Sequence, residues 1–457
     1  MLFIVLPSFI AIGLASLLVL VFGRRFLLSG KKRVSVVVLG DIGRSPRMQY
    51  HALSFSRHSY AVDLIGYGGS LSHKDLQQNK FIQQHYMREP PAFFKYFPRM
   101  MIYLLKVIWQ SAVLLLSMMS VEKPKLVLLQ NPPAVPSLAV AWLVCKLQGS
   151  LLMVDWHNYG YTILSLALCD KHPLVVFSKW YEHLFGRFND INICVTNAMR
   201  DDLQKNWNIR AVTIYDRPPS IFKRLSVKEQ HDLFLKLSKE YPIFADVEGN
   251  EQATAITEEL PDRRIQLRSD RPAVIVSSTS WTQDEDFSLL LKALEDYELA
   301  VGAGHTLPKI ICAITGKGPQ RSYYQELINQ NDWQHVKIIT PWLAAEDYPK
   351  LLGSSDLGVC LHTSSSGLDL PMKVVDMFGC GLPVCAIKYK SLHELVRDGE
   401  NGVVFTFAFE LGIAIRELLE PFPKDQTRLD KYRENIRSFQ ALRWDKNWDE
   451  HILPLIQ

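Results

Sequence analysis

Short runs of apolar, often β-branched residues alternate with segments of helical length along most of the chain, and this alternation limits the possible folds more than any other feature. Runs of this kind are typical of strands buried on both faces of a sheet. Strands that alternate with helices indicate parallel βαβ units and a doubly wound sheet. In the first half, strands are predicted at 34–39, 61–67, 126–130, 151–155, 191–195 and 212–215.

The same alternation begins again in the second half. Its strands are predicted at 273–278, 310–315, 336–340, 357–361, 383–387 and 403–405. The intervening segment 225–270 is polar and charged, and it is interpreted as a helix followed by a loose linker. A chain of 457 residues exceeds what one hydrophobic core usually serves. We therefore predict an α/β protein with two Rossmann-like, doubly wound domains, 34–224 and 271–428, which bind ligands at the carboxyl ends of their strands.

The N-terminal segment, residues 1–23, has the properties of a membrane anchor. No charged residue occurs from Leu2 to Phe22, and about 20 apolar residues in a helix span a bilayer core. Arg24, Arg25 and the basic residues at 31–33 follow directly, so the positive-inside rule predicts that the rest of the chain lies in the cytosol. The alternative is a cleaved signal peptide, but such peptides carry their positive charge before the apolar core.

A second apolar stretch covers residues 100–119 and contains Lys106. A charge at bilayer depth is costly, so an amphipathic or buried crossover helix is the favoured interpretation. Contact of this helix with the membrane surface remains an open alternative.

Charge and cysteine content exclude some classes of protein. The formal net charge is only +4 and the basic residues are dispersed, which argues against a nucleic-acid-binding protein. The seven cysteines have irregular spacing, which is typical of reduced thiols in a reducing compartment.

The segment 361–384 carries the most informative motif. A predicted strand end leads into a loop rich in serine and glycine, and a helix is predicted to begin near Pro371. Small residues let backbone N–H groups approach a ligand, and a helix N-terminus favours an anion. Asp376 lies one turn into the helix, where its carboxylate is suited to bind the two hydroxyls of a ribose. The predicted nucleotide-binding residues here are His362, Ser365, Ser366, Gly367, Leu368, Asp369, Leu370, Lys373 and Asp376.

Two further loops of the second half extend this predicted donor site. Gly316, Lys317 and Gly318 follow a strand, where the glycines permit close backbone approach and the lysine can neutralise a diphosphate. Ser278 and Ser280 end the first strand of the domain, where their hydroxyls can meet phosphate or sugar. The acidic residues 284–286 that follow suggest either a metal site or an acidic first helical turn, and the second is commoner. No metal ligand is assigned.

Polar residues at two strand ends of the first half are candidates for a general base. Asp41 lies in the turn 40–47, and Asp155 and His157 close another predicted strand at the same edge of the sheet. Because these strand ends converge, any of the three residues can serve as the base. The sequence does not rank them.

The segment 361–384 resembles the donor-binding signature of the GT-B glycosyltransferases, which runs acid, seven residues, acid, and then a Gly-x-Pro-Val strand. Asp376 falls on the second acid, which in that family holds the ribose. The first acid falls on Leu368, beside Asp369, and its loss argues against a retaining mechanism. The resemblance implies the GT-B fold, a cleft between the two domains, and a C-terminal helix, 429–457, that crosses back to the first domain.

Four longer segments, 40–51, 155–161, 277–282 and 362–373, are together similar to the mannosyltransferases that build the dolichol-linked N-glycan precursor at the endoplasmic reticulum. This resemblance implies transfer from GDP-mannose to dolichyl-diphosphate chitobiose in β-1,4 linkage, with inversion at the anomeric carbon. It also implies a complex with later mannosyltransferases of the pathway, and together with the N-terminal anchor it predicts a single-pass protein with its domains on the cytosolic face of that membrane. The alternatives are a later α-mannosyltransferase and a non-catalytic scaffold.

Overall fold

The computed structural model describes residues 32–282 and 285–457, and the chain divides into two compact units. The first unit contains the described residues up to Tyr215 together with Trp448–Gln457, and the second contains Asp216–Asn447. The predicted membrane anchor, residues 1–23, lies outside the described residues.

The first unit is built on a seven-stranded, all-parallel sheet in the order β3-β2-β1-β4-β5-β6-β7. Its strands are β1 (Arg33–Asp41), β2 (Ala61–Tyr67), β3 (Ile82–Tyr86), β4 (Leu126–Asn131), β5 (Leu151–Trp156), β6 (Ile191–Cys194) and β7 (Val212–Thr213). Its helices are α1 (Pro46–Arg57), α2 (Lys74–Gln77), α3 (Arg99–Ser120), α4 (Ser137–Gln148), α5 (Gly160–Leu168), α6 (Pro173–Phe185) and α7 (Asn197–Trp207), with 3-10 turns at Ile42–Arg44 and Ala92–Tyr96.

The second unit contains a six-stranded parallel sheet in the order β12-β11-β10-β13-β14-β15, and a short antiparallel pair, β8 and β9. Its strands are β8 (Thr257–Glu259), β9 (Ile265–Leu267), β10 (Ala273–Ser278), β11 (Ile310–Thr315), β12 (Val336–Ile339), β13 (Leu357–Cys360), β14 (Val384–Ile387) and β15 (Gly402–Phe405). Its helices are α8 (Val227–Ser238), α9 (Ser288–Gly302), α10 (Arg321–Gln330), α11 (Tyr348–Ser354), α12 (Met372–Gly379), α13 (Ala408–Leu419) and α14 (Thr427–Ala441), and 3-10 turns lie at Pro242–Phe244 and Leu392–Glu394. Two helices follow: α15 (Trp444–His451) begins in the second unit and ends in the C-terminal segment of the first, and α16 (Leu453–Ile456) belongs to the first unit.

The predicted α/β class and the two doubly wound sheets are confirmed. In each sheet the first strand in the chain lies in the interior, and the order reverses beside it, between β1 and β4 and between β10 and β13. Ligands of doubly wound sheets bind outside the carboxyl ends of the strands at such a reversal point. The central strands β1 and β10 are almost wholly buried, as their apolar composition requires.

Two parts of the sequence interpretation differ from the structure. The edge strand β3 was not predicted, because its sequence Ile-Gln-Gln-His-Tyr is polar and its side chains are largely accessible. The segment after α8, interpreted as a loose linker, contains the pair β8–β9, which is too short to give a recognisable alternation in the sequence.

Helix α3 is the crossover connection from β3 to β4, as predicted for the stretch 100–119. It is not a buried helix, however, because among its apolar side chains Leu114 and Met118 are buried and most others are partly or largely exposed. Met100, Leu104, Ile108 and Leu116 are each more than half exposed. Among the described residues it is the one helix long and apolar enough to cross a membrane.

Candidate active site

The loops that follow β10 and β11 pack directly against each other in the second unit. A Cβ atom on Gly316 would lie 1.8 Å from the carbonyl oxygen of Thr279, and one on Gly318 would lie 1.7 Å from that of Ser280. Gly316 also has a φ of +146°. Only glycine permits this approach, and the buried Trp281 ring reinforces it by donating from Nε1 to the Gly316 carbonyl at 3.2 Å. The two predicted loops thus form one continuous backbone surface.

Lys317 projects from this surface over an aromatic ring. Its Nζ lies 3.8 Å from the centroid of Trp342, which is 52% exposed. A cation over an indole face is held weakly at an exposed site. The contact therefore orients the Lys317 ammonium and leaves its positive charge uncompensated by the ring. An ammonium in this state is suited to bind an anion.

Glu285 is a buried carboxylate at the same strand end, and the sequence interpretation did not assign it. Its Oε2 accepts hydrogen bonds from Thr279 Oγ1 at 2.6 Å and from the Ser280 N–H at 2.9 Å, and its Oε1 pairs with the Lys373 ammonium. Glu285 lies in the loop before α9, which begins at Ser288, so it is not part of an acidic first helical turn. Its carboxylate joins the loop after β10 to the first turn of α12.

The loop after β13 is folded by its own serine side chains. Ser364 Oγ accepts from the Gly367 N–H at 2.8 Å and donates to Asp369, and Ser366 Oγ accepts from the Leu368 N–H at 3.2 Å. Gly367 takes a φ of +71°, which a tight turn here requires. Helix α12 begins at Met372, next to Pro371, as predicted.

The first acid position of the donor-binding signature is occupied by a buried leucine. Leu368, on the position of the first acid, is 3% exposed, and Leu370 is also buried. The neighbouring Asp369 lies 3.7 Å from the His362 Nε2 and bonds to Ser364. Ser365 is partly exposed in the same loop. The buried leucine supplies no carboxylate to a donor sugar.

Asp376 lies on α12 in contact with Tyr348. Ser278 Oγ donates to the Tyr348 hydroxyl at 3.1 Å. The Tyr348 hydroxyl in turn donates its own proton to the Asp376 carboxylate. Burial, and after it the nearby Asp216 carboxylate, raise the pKa of Asp376 well above its ordinary value, although the Tyr348 hydrogen bond opposes the shift. A carboxyl group with so few compensating donors is costly to the fold, which is typical of a group kept for a ligand.

In the first unit, Asp155 at the end of β5 is fully buried and accepts hydrogen bonds from three side chains. Arg47 donates from Nε to Oδ2 at 2.8 Å and from Nη2 to Oδ1 at 3.1 Å. The Nε2 atoms of His51 and His157 lie 3.1 Å and 2.9 Å from Oδ2. Burial disfavours the charged form, but Arg47 and then His157 outweigh it and hold the pKa of Asp155 well below its ordinary value.

His157 is the partner of Asp155 that reaches solvent. Its side chain is 23% exposed, whereas His51 and Asp155 are fully buried. Since the ionised carboxylate can only accept, His157 donates from Nε2 and its basic nitrogen is Nδ1. An imidazole oriented by a buried carboxylate is the arrangement of a general base.

Asp41, the third candidate, has different partners. Its Oδ1 accepts from the Gly43 N–H and its Oδ2 from the Ser70 N–H, both at 2.9 Å. It thereby ties the turn after β1 to the loop after β2. The structure brings Asp155 and His157 together and engages Asp41 in loop contacts.

Several residues of these clusters were absent from the sequence-based assignment. Arg47 and His51 lie four residues apart, so they share one face of α1. That spacing, directly after a glycine-containing turn at a strand end, was the available signal. Glu285 stood out only as one of three consecutive acidic residues, and its ion pair with the distant Lys373 was not readable from the sequence. Tyr348 carried no comparable signal, because Ser278 lies 70 residues away.

Comparison with known proteins assigns the chain to a family. The family described as "Glycosyl transferases group 1" matches residues 259–439. The chain is 52% identical over 430 residues to chitobiosyldiphosphodolichol beta-mannosyltransferase of Homo sapiens, covering 93% of this chain and 92% of the relative. The Mus musculus protein of the same name is 49% identical over 451 residues, covering 96% and 93%. An Arabidopsis thaliana protein named UDP-glycosyltransferase TURAN is 43% identical over 456 residues, covering 93% and 98%.

Solved structures support the fold at low sequence identity. Sucrose-phosphate synthase of Thermosynechococcus elongatus superposes with a TM-score of 0.65 at 13% identity, covering 93% of this chain and 97% of that one. WaaG, a glycosyltransferase of lipopolysaccharide biosynthesis, superposes with a TM-score of 0.58 at 13% identity, covering 93% and 99%. The chain is a GT-B glycosyltransferase, and it belongs to the chitobiosyldiphosphodolichol beta-mannosyltransferase family.

Proposed function

We propose that this chain transfers mannose from GDP-mannose to chitobiosyl diphosphodolichol in β-1,4 linkage, with inversion at the anomeric carbon. The observation that carries the proposal is the 52% identity to a chitobiosyldiphosphodolichol beta-mannosyltransferase over nearly the whole chain. GDP-mannose is α-linked, so a β-linked product requires one displacement and no covalent intermediate. The buried Leu368, in place of a carboxylate near the donor sugar, agrees with this mechanism.

The residues of the second unit bind the donor in this proposal. The backbone of the loop 316–318 accommodates the diphosphate, and Lys317 and Lys373 stabilise the charge that develops on the departing GDP. Lys373, in the first turn of α12, either keeps its ion pair with Glu285 or exchanges it for the donor diphosphate when the donor binds. The Asp376 carboxyl group binds the ribose hydroxyls. The serines at 278, 280, 365 and 366, together with His362 and Asp369, complete the donor contacts.

His157 is the base in this proposal. Its Nδ1 takes the proton from the acceptor hydroxyl as that oxygen attacks the anomeric carbon, and Asp155 stabilises the resulting imidazolium. Asp155 itself is too deeply buried to touch an acceptor, so it is a positioning residue. Asp41 shapes the adjoining loop.

The membrane location is part of the proposal. The family name specifies a dolichol-linked acceptor, and we place the chain at the endoplasmic reticulum membrane with its catalytic units in the cytosol. The uncovered apolar surface of α3 supports contact with the bilayer. Complex formation with later mannosyltransferases of the pathway would pass the product lipid on directly.

A transfer assay tests the proposal. Purified full-length protein is incubated with GDP-mannose and a lipid-diphosphate chitobiose, and the product is digested with linkage-specific mannosidases. One mannose, released by a β-mannosidase and resistant to an α-mannosidase, is the expected result. An α-linked product would identify a later mannosyltransferase instead. Transfer from a UDP-sugar with no transfer from GDP-mannose would overturn the donor assignment, and absence of GDP and UDP binding would favour a scaffold.

Replacing Asp376 by asparagine is expected to weaken GDP binding by about tenfold or more, because an amide is a poorer acceptor for two ribose hydroxyls than a carboxylate. The same change should stabilise the fold. The raised pKa means that the folded state binds a proton more tightly than the unfolded chain, so this carboxyl destabilises the protein increasingly as the pH rises above its ordinary pKa of 3.8. The stability gain of D376N should therefore be larger at pH 8 than at pH 5.

Calorimetric titration with GDP and thermal melts at the two pH values measure these effects. Asp398→Asn, an exposed carboxylate on the loop before β15, is the matched control and should change neither quantity. Unchanged GDP affinity in D376N would remove Asp376 from the donor site.

A further inference from the structure

A chain of hydrogen bonds joins the C-terminal segment to the buried carboxylate of the first unit. Trp448 Nε1 donates to His51 Nδ1 at 2.9 Å, and His51 Nε2 lies 3.1 Å from Asp155 Oδ2. The same oxygen lies 2.9 Å from His157 Nε2. Trp448, His51 and Asp155 are completely buried, so water does not compete for these bonds.

The direction of these bonds follows from the chemistry of the groups. The indole nitrogen is only a donor, so His51 Nδ1 must be unprotonated to accept from it. Burial lowers the pKa of His51, so its ring is neutral and carries a single proton. That proton is then on Nε2 and is donated to Asp155. The ionised Asp155 requires the same tautomer, so the contacts of Trp448 and Asp155 on the two ring nitrogens together fix the tautomer and the orientation of His51.

His51 in turn fixes where the carboxylate oxygen points. Arg47, His51 and His157 all donate to Asp155 Oδ2. If His51 took the other tautomer, the lone pair on Nε2 would face a negatively charged oxygen, and the carboxylate would rotate or His51 would gain a proton. Rotation displaces the acceptor that holds His157, and protonation brings a second N–H of His51 against the indole N–H of Trp448.

The C-terminal segment, Trp448–Gln457, has further contacts with α1, with the residue that follows α1, and with the residue that precedes β4. The Trp448 ring packs edge-on against Phe55 at 5.1 Å and stacks on His58 at 5.4 Å. His58 Nε2 also lies 2.7 Å from Asp449 Oδ1, and the Ile456 carbonyl accepts from Lys125 Nζ at 3.1 Å. These contacts hold the indole N–H at His51.

We propose that Trp448 and His51 are positioning residues for catalysis, which hold the Asp155 carboxylate in the orientation that keeps His157 ready to accept a proton. In this proposal the C-terminal segment contributes to the turnover rate through Trp448. This inference rests on the proposed role of His157 as the base.

Three variants of the full-length protein test the inference. Trp448→Phe removes the indole donor and keeps an aromatic ring, and His51→Leu removes both ring nitrogens. His51→Gln keeps one N–H donor and one oxygen acceptor in a side chain of similar reach. Trp333→Phe is the control, because Trp333 is a buried indole of the second unit that donates to the Ile328 carbonyl at 2.8 Å, away from Asp155.

We expect kcat to fall by about 10- to 100-fold in Trp448→Phe and His51→Leu, while the KM for GDP-mannose and the affinity for GDP change by less than about twofold. His51→Gln should recover most of the rate that His51→Leu loses. Trp333→Phe should lower the thermal midpoint with little change in kcat.

Each other outcome overturns the inference or the function on which it rests. Normal kcat in Trp448→Phe and His51→Leu would show that the hydrogen-bond chain does not position the base. A loss of kcat in Trp333→Phe as large as in Trp448→Phe would show that general destabilisation explains the effect. Normal turnover in His157→Ala would instead refute the assignment of the base, and with it any positioning role directed at His157.

Discussion

Replacing His157 by alanine is expected to lower kcat by about 10²- to 10⁴-fold, the range that a positioned general base contributes. The imidazole is 23% exposed at a strand end, and Asp155 holds its Nε2–H at 2.9 Å, so Nδ1 is the nitrogen available to a substrate hydroxyl. With alanine at this position, no base takes the proton from the attacking hydroxyl of the acceptor lipid. The change leaves the proposed donor-binding residues of the second unit intact. GDP affinity should therefore stay unchanged.

Single-turnover kinetics with saturating donor and acceptor measure this effect on the chemical step. His305→Ala is the matched control, because this histidine is exposed in the loop after α9 and should keep the normal rate. A normal rate in His157→Ala would show that His157 is not the base and that Asp41 or another residue takes the proton.

Replacing Asp155 by alanine is expected to have the largest effect on stability, about 3–5 kcal/mol, because it breaks a buried ion pair and removes the acceptor of two Arg47 hydrogen bonds. Arg47 is 4% exposed, and its Nη1 also donates to the Ile214 carbonyl at 3.0 Å. Turnover should be lost as well, since nothing then orients His157.

A double variant separates the two effects. Arg47→Met combined with Asp155→Leu replaces the buried ion pair by apolar groups of similar volume, which is often neutral for stability. We expect its thermal midpoint to lie above that of Asp155→Ala but below that of the unmodified protein, because the buried His51 N–H still lacks its acceptor, while kcat stays at the level of Asp155→Ala. If the double variant recovers turnover, Asp155 does not position the base. If Asp155→Ala melts normally, the ion pair is not a major contribution to the fold.

The structural role of Asp155 and its proposed positioning role have one physical origin. A carboxylate this deeply buried stays ionised only because a guanidinium and two imidazoles donate to it. Those donors are fixed by packing, so the carboxylate and everything bonded to it are fixed too. The orientation of His157, the proposed base, is therefore fixed by the fold itself.

Much of the fold follows from local sequence pattern. The strands β2, β10 and β11 begin and end where the apolar runs do, because a strand buried on both faces cannot contain polar residues without partners. The polar edge strand β3 escaped prediction for the same reason, since an edge strand needs no continuous apolar run. The start of α12 beside Pro371 was equally readable, because proline is well suited to the beginning of a helix.

The candidate residues of the sites were only partly readable. The loops with Lys317, Lys373 and Asp376 stood out because their residue types suit phosphate and ribose, and their roles as donor ligands stay a prediction. The choice among Asp41, Asp155 and His157 was not available from the sequence, because each is a polar residue at a strand end. Burial and hydrogen-bond partners distinguish them, and these depend on elements far away in the chain.

The sequence by itself determined the class of fold, the number of sheets, the positions of most strands and the family signature, since all of these depend on periodicity and on residues close together in the chain. Only the tertiary structure decided which groups surround each candidate side chain. Arg47 and His51 come from α1, Asp155 and His157 from the end of β5, and Trp448 from the far C-terminus. A hydrogen bond needs its two atoms within about 3 Å, and no local pattern encodes which of several hundred residues the folded chain will bring that close.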